Sequence, residues 1–110
     1  MKTAELTGTA IDWAVATCEC VDTASFLNMY MCGHFAFSTD WSEGGPIIER
    51  EKIGMWPSDS VSGMWAARPD FKANSKRETP SYGLTPLITA MRCYVASKLG
   101  DEVEVPKELK

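Results

Sequence analysis

The sequence predicts a single α+β domain in which three helices pack on a small antiparallel β-sheet, in a sandwich-like arrangement. Three observations predict this fold class. Apolar residues recur at helical spacing near both ends of the chain, two short apolar runs lie in the middle with turn residues between them, and the chain has 110 residues. That length is typical of one domain with one core. Residues 1–110 are therefore read as one domain, with a tail from about residue 106 that frays.

The first helix is predicted over residues 10–20, where apolar side chains follow the helical period. Thr9 is its predicted N-cap, and Asp12 is the acidic partner in a capping box that carries Asp in place of Glu. The segment that follows, residues 22–37, shows no clean period of either kind. We expect it to be irregular, with room for one short strand.

The stretch FSTDWSEGGPIIEREKI, residues 37–53, holds the densest cluster of specific signals in the chain. Ser38-Thr39-Asp40 is typical of a helix start, so a second helix is predicted over residues 40–53. Pro46 inside it costs on the order of 3 kcal/mol in a helix interior. Two forms stay open: a kinked helix that begins at Asp40, or a turn followed by a helix that begins at Pro46.

The middle of the chain predicts a β-hairpin from the apolar residues 55–56 and 64–67, with turn residues between them. The polar residues 68–82 are predicted to form a long loop. A third helix begins with Thr85 as N-cap and Pro86 as first residue, and ends before Gly100. Because that helix is apolar around most of its circumference, we expect it to be covered on more than one side. This feature and the abundance of Met and Trp predict a homodimer.

Charge and composition exclude several function classes. The net charge of −4 and the pI near 4.9 argue against general nucleic-acid binding, since such proteins are normally basic. No apolar run is long enough to span a membrane, and no apolar segment typical of a signal peptide follows Met1. We therefore expect a cytoplasmic protein whose four cysteines are reduced.

Four stretches carry a family resemblance: MKTAELTGTAIDWAVA (residues 1–16), STDWSEGGPIIEREKI (38–53), WAA (65–67) and TPLITAMRCYVASKLGDEVEVPKE (85–108). With these stretches the chain resembles the phage NinX-like family of unknown function. It is more distantly similar to the phage ABA sandwich domain, which shares an N-terminal helix, the S-T-D start, a W-x-A strand and a T-P-L helix. The resemblance implies helices on either side of a small antiparallel sheet. It also implies a phage or prophage accessory protein acting in the host cytoplasm, and it supplies no activity.

Cysteine and histidine are the candidates for metal or nucleophile chemistry. Cys18 with Cys20, and Cys32 with His34, could supply two ligand pairs for Zn²⁺. Their spacing is unfavourable, so we expect no zinc, no other metal or cofactor, and no disulfide. His34 is the only histidine, and nothing local orients Cys32 or Cys93 toward it. We therefore expect no catalytic residue and a protein that is not an enzyme.

The candidate binding surface lies in the stretch around Trp41. Gly44-Gly45-Pro46 lacks the preceding strand and the lysine of a phosphate loop, so close packing against a neighbour is favoured over anion binding. The Trp41 side chain lies beside the backbone N–H groups at a helix start, and arginines are near in the sequence. Such an arrangement suits either a protein interface or a nucleotide-like ligand. A host protein is the expected partner, with counter-defence as one purpose, and a small nucleotide-like ligand is the alternative. The candidate residues are Ser38, Thr39, Asp40, Trp41, Gly44, Gly45, Arg50 and Arg92.

Overall fold

Four α-helices and three β-strands make up the computed structural model, which describes residues 2–58, 63–68, 81–100 and 102–106. The α+β class is confirmed, while the predicted number of three helices is wrong. A short 3-10 turn at Thr3–Glu5 precedes the first helix. The elements are α1 (Gly8–Cys18), α2 (Thr23–Tyr30), α3 (Trp41–Glu51), β1 (Gly54–Pro57), β2 (Trp65–Arg68), β3 (Ser81–Gly83) and α4 (Pro86–Leu99).

The sheet has the strand order β1-β2-β3, and both pairs are antiparallel. Met55 pairs with Ala67, so the predicted β-hairpin is confirmed. Strand β3 was not predicted, because residues 81 and 82 fell inside the expected long loop and Gly83 was assigned to no element. Ala66 of β2 pairs with Tyr82 of β3. The remainder of that loop, 69–80, lies outside the described residues, as do residues 59–62 between the two strands of the hairpin.

Helix α4 is the element on which the others pack. The hydroxyl oxygen of Thr85 accepts a hydrogen bond from Ile88 N at 3.1 Å, Pro86 is the first helical residue, and Gly100 ends the helix with φ +89°. These are the predicted signals, and each lies where it was expected. One side of α4 packs on all three strands, while α1 and α3 also pack on it. Other elements of the same chain therefore cover α4 on more than one side, as expected. The apolar character of α4 thus gives no reason to expect a second subunit. The homodimer stays a prediction.

The start of α1 differs from the prediction. The helix begins at Gly8, and Thr7 is the N-cap residue, without a side-chain cap hydrogen bond. The predicted capping box of Thr9 and Asp12 is wrong. Asp12 is 0 % exposed and binds residues of two distant segments instead. A local pattern contains no information about such partners, so the acid was assigned to the nearest helix start.

Residues 22–37 contain α2, which corrects the expectation of an irregular segment with a short strand. Asp22 is its N-cap and accepts from Ser25 N at 3.4 Å. Only Phe26 of this helix is fully buried, and its ring centroid lies 4.9 Å from that of Tyr30. A helix that buries one side chain leaves almost no apolar period, which explains why the pattern did not predict it.

Helix α3 runs continuously through Pro46. Of the two forms left open by the sequence, the helix that begins after Asp40 is observed, and the helix that begins at Pro46 is wrong. The ring of a proline disfavours helical geometry at the preceding residue by contact with its Cβ. Gly45 has no Cβ, which reduces this conflict. Lys52 ends the helix in the left-handed region, at φ +54°.

The two ends of the described chain lie together. Lys2 pairs with Glu102 in an antiparallel bridge, and the Thr3 hydroxyl donates to Gly100 O at 2.7 Å. Val103 and Val105 are buried in the core, so the tail contributes to packing as far as these positions. Of the tail expected to fray, residues 107–110 lie outside the described residues.

Candidate functional site

An open cleft of about 250 Å³ lies between the starts of α3 and α4. Ser38, Thr39 and Trp41 line one side, and residues 85–88 line the other. Trp41 is 53 % exposed, an unusual exposure for so large an apolar surface. The structure thus brings three of the predicted site residues together. It adds the start of α4, which sequence reasoning read only as a helix cap.

Both helix starts at the cleft are capped by the protein's own side chains. Asp40 Oδ1 accepts from Ser42 N at 2.9 Å and from Ser42 Oγ at 2.6 Å, and these hydrogen bonds lower the pKa of Asp40. Thr85 caps α4, and Pro86 has no N–H to offer. Helix starts attract anions through unpaired N–H groups. Here that attraction is reduced by the caps and opposed by the Asp40 carboxylate.

The cleft is mostly apolar. Besides Trp41, its apolar lining comes from Pro86, Leu87 and Ile88. Leu84, which immediately precedes the α4 side of the cleft in sequence, is strongly exposed. Exposed apolar surface around an aromatic side chain is typical of protein interfaces.

Gly44 sets how closely α3 approaches α4. It is buried, and a Cβ at this position would collide with the carbonyl oxygen of Phe37 and lie 2.6 Å from Leu87 Cδ1. This is the arrangement that the close-packing interpretation predicts. Gly45 differs, since a Cβ there would meet nothing within 4 Å beyond its chain neighbours. The absence of a Cβ at Gly44 therefore allows the two walls of the cleft to approach closely.

The two arginines predicted for the site do not line the cleft. Arg50 lies nine residues after Trp41 on α3, about 13 Å along the helix axis. Its guanidinium donates twice to Glu19, at 3.0 Å each. Arg92 is buried in α4 and donates to the carbonyl oxygens of Leu6 and Tyr82 at 2.9 and 2.8 Å. The expected platform of Trp41 with an arginine is not formed by either residue.

A polar network around Glu19 joins the ends of α1 and α3 to the side of α4 instead. The Tyr94 hydroxyl donates to Glu19 at 2.6 Å, and Arg50 also reaches that hydroxyl at 3.1 Å. Burial raises the pKa of Tyr94, and the neighbouring Glu19 raises it further. Burial also acts to raise the pKa of Glu19, but the hydrogen bonds from Arg50 and Tyr94 outweigh it and lower that pKa. Since Arg50 is half exposed, its ion pair contributes at most about 1 kcal/mol.

Asp12 positions one residue of the cleft. Its carboxylate accepts from Ser38 N and from the Tyr30 hydroxyl, at 2.8 Å each. Burial raises the pKa of Asp12, while the hydrogen bonds from Ser38 and Tyr30 act to lower it. Ser38 Oγ is buried close to the Asp12 carboxylate. Among the described atoms, this hydroxyl makes no hydrogen bond of good geometry. Sequence reasoning missed this role of Asp12. Its one available signal was an acid inside the apolar run of α1.

Residues 2–98 match the family model described as Bacteriophage P22, NinX. The chain belongs to this family. No curated protein matches it. The match confirms the NinX-like resemblance and identifies a phage accessory protein. Within the described ranges, none of the helices has both the length and the apolar character needed to cross a membrane.

The described part of this NinX-family chain contains no group of three or more His, Cys, Asp or Glu residues that could hold a metal ion. Burial raises the pKa of Cys18 to about 11, which makes its thiol a poor ligand or nucleophile at neutral pH. Cys20 and Cys32 are exposed and Cys93 is buried. The two ligand pairs considered for zinc therefore do not form one site here.

The buried Asp12 carboxyl predicts a pH-dependent difference between the wild type and Asp12→Asn. The pKa of Asp12 is higher in the folded state than in the unfolded state. The carboxyl therefore contributes fully to the free energy of unfolding below its unfolded-state pKa, and this contribution is lost as the pH rises through its folded-state pKa. Asn keeps an acceptor for Ser38 N and carries no charge. We expect Asp12→Asn to gain stability relative to the wild type as the pH rises from about 4, the unfolded value, and to hold that gain at neutral pH. Thermal melts of both proteins across this range test it, and a difference that is constant with pH contradicts it.

Proposed function

We propose that this NinX-family protein acts in the host cytoplasm by binding a host protein through the cleft between α3 and α4, without catalysing a reaction. Counter-defence is the purpose that we propose for this binding. The observation that supports it is the half-exposed Trp41 at an apolar cleft. Large aromatic side chains in such positions carry much of the binding energy at protein interfaces.

The geometry of the cleft favours a protein partner. Trp41 presents a rigid apolar surface that loses little conformational entropy on binding. The opposite side belongs to α4, and Gly44 allows the two helices to approach closely. A cleft of about 250 Å³ is large enough for an apolar side chain of a partner to enter. Since both walls are held by core packing, the cleft needs little ordering to accept one.

A small nucleotide-like ligand is less well supported. Two helix starts face the cleft, which favours an anion. However, the Asp40 carboxylate lies beside Trp41 and repels a phosphate, and neither Arg50 nor Arg92 lines the cleft. The Asp40 carboxylate thus opposes the attraction of the helix starts for an anion, which suits an apolar protein segment better than a charged nucleotide.

We expect Trp41→Ala to abolish capture of the host partner while leaving the fold largely intact. Its side chain is half exposed, so its removal opens no large core cavity. The measurement is a pull-down from host lysate, scored by the stoichiometry of one captured protein, together with a thermal melt. Trp56→Ala is the matched control, since Trp56 is 39 % exposed on β1 and does not line the cleft.

Two results would overturn this proposal. Equal capture by wild type and Trp41→Ala would place the partner surface elsewhere. A fall in melting temperature of more than about 10 °C would mean that Trp41 is a packing residue, because a large core cavity costs roughly 3–5 kcal/mol. A melting shift of the wild type with one member of a nucleotide panel, lost in Trp41→Ala, would favour the small-ligand alternative.

A further inference from the structure

The two edges of the sheet differ in what covers them. Strand β3 forms one edge, and the carbonyl oxygen of Tyr82 accepts a hydrogen bond from Arg92 of α4 at 2.8 Å. A side chain therefore occupies the backbone of this edge. Strand β1 forms the other edge, and Gly54, Trp56 and Pro57 on it are all exposed. An exposed edge strand offers its backbone groups to another strand.

The register of the hairpin shows which backbone groups face the open edge of β1. Ser58 N donates to Met64 O at 2.9 Å, so these two residues form a hydrogen-bonded pair. Hydrogen-bonded and non-hydrogen-bonded pairs alternate along an antiparallel ladder. Met55 and Ala67 therefore form a non-hydrogen-bonded pair. The N–H and C=O of Met55 both point away from β2, and neither makes a hydrogen bond among the residues that the structure describes.

Met55 gives this edge a self-complementary centre. When β1 of a second copy approaches antiparallel about a twofold axis, each Met55 N–H can donate to Met55 O of the other copy. The pairing ends on either side of this centre. Pro57 has no N–H, and Ile53 N already donates to Ile48 O at 3.1 Å. Residues 54–56 are therefore the segment that can pair.

Side chains on the outer face of the sheet suit the same register. Met55 packs against the core, so its neighbours Gly54 and Trp56 lie on the opposite face. With the two Met55 residues paired, Trp56 lies opposite the partner's Gly54, in a non-hydrogen-bonded pair where side chains approach most closely. A Cβ at Gly54 would meet nothing within 4 Å beyond its chain neighbours, which leaves open space for the indole.

Charge complementarity favours a second copy as the occupant of this edge. Arg68 pairs with Gly54 within one chain and is exposed at the end of β2. In the paired arrangement, Arg68 and the partner's Trp56 flank the same glycine on one face of the sheet. The guanidinium can therefore reach over Gly54 to the partner's indole, and such cation–π contacts are favourable. The twofold axis makes this contact twice.

We propose that this protein forms a homodimer in which the β1 strands of two copies pair antiparallel, with Met55 at the twofold axis and Trp56 packed over the partner's Gly54. The two three-stranded sheets then join into one sheet of six strands. No residue of β1 lines the cleft between α3 and α4, so this interface does not depend on the proposed host partner. Because only residues 54–56 of each strand pair, we expect a weak and reversible dimer.

Sedimentation equilibrium of the full chain, from micromolar to millimolar concentrations, tests the dimer. The average mass should rise with concentration from 12.1 kDa toward twice that value. Trp56→Lys should weaken the dimer by about tenfold or more, because two symmetric aromatic contacts are lost and each lysine faces the partner's Arg68. Trp41→Lys is the matched control, since it makes the same change at an exposed tryptophan outside β1. It should dimerise like the wild type.

A disulfide tests the register and does not require Trp56→Lys to remain folded. The Cα atoms of a non-hydrogen-bonded antiparallel pair lie about 4.5 Å apart, within the range of a disulfide. Cys20→Ser and Cys32→Ser first remove the exposed thiols. In that background, a mixture of the Gly54→Cys and Trp56→Cys proteins should cross-link on oxidation. Neither protein alone should do so, because the same position in two copies is a diagonal neighbour roughly 7–8 Å away.

Three results would overturn the proposal. A mass of 12.1 kDa at every concentration would leave this edge to a strand of another protein. A dimer that Trp41→Lys weakens as much as Trp56→Lys does would place the interface at the cleft. Cross-linking that does not need the mixture would exclude the register. Thermal melts of both lysine variants should match the wild type, and if Trp56→Lys melts early, the cross-link decides.

Discussion

Gly44→Ala is expected to lower the free energy of unfolding by about 1–3 kcal/mol, the usual cost of overpacking a core. The same substitution in an exposed helix interior raises stability by about 1 kcal/mol. The sign reverses because the new Cβ would collide with Phe37 O and lie 2.6 Å from Leu87 Cδ1. Neither atom can move aside cheaply, since one belongs to the backbone and the other to a buried side chain. Urea unfolding at constant pH measures the difference.

Gly45→Ala is the matched control for this substitution. A Cβ at Gly45 meets open space, so the gain in helix propensity is available. The ring of Pro46 opposes it, because helical geometry before a proline is disfavoured for a residue with a Cβ. We expect a net change below about 1 kcal/mol in either direction. Equal destabilisation by the two alanines would show that general helix weakening, not the contact with α4, is responsible.

Met91→Ala is expected to lower the free energy of unfolding by about 2–5 kcal/mol, since it leaves a cavity in the core beside the middle of α4. The Met91 side chain is 0 % exposed. Leu87→Ala should cost a similar amount and Val95→Ala less, because Val has the smaller side chain. At the few degrees per kcal/mol typical of a domain of this size, Met91→Ala should lower the melting temperature by roughly 10 °C or more.

Leu99→Ala provides the comparison on the same helix. Leu99 is the last residue of α4 and is 39 % exposed, so its truncation leaves no enclosed cavity. We expect a loss below about 1 kcal/mol. A urea melt of Met91→Ala that matches the wild type would mean that α4 is not the centre of the core.

The elements that were predicted correctly carry their signals within a few neighbouring residues. Helix α4 has its cap at Thr85, its first residue at Pro86 and its end at Gly100, and each of these acts on its own backbone. The hairpin of β1 and β2 is likewise encoded by two apolar runs and the turn residues between them. Such signals depend on local backbone preferences, so they can be read before any tertiary contact is known.

The candidate site was predicted only in part. The position of Trp41 at a helix start indicated an exposed side chain, and the structure places it at the cleft. The other wall, residues 85–88, comes from a distant part of the chain, and nothing in the sequence pairs the two helix starts. Arg50 and Arg92 were assigned to the site by charge alone, yet their partners in space are Glu19 and two backbone carbonyl groups.

By itself, the sequence determined the α+β class, the family, the central helix and the exposed position of Trp41. Tertiary structure alone decided that residues 22–37 contain α2, that Asp12 binds Tyr30 and Ser38, and that α4 is the neighbour against which Gly44 packs. The physical reason is the same in each case. A helix cap or a turn is selected by the conformational preferences of adjacent residues, whereas a buried acid or a close helix contact is selected by partners that only folding brings near.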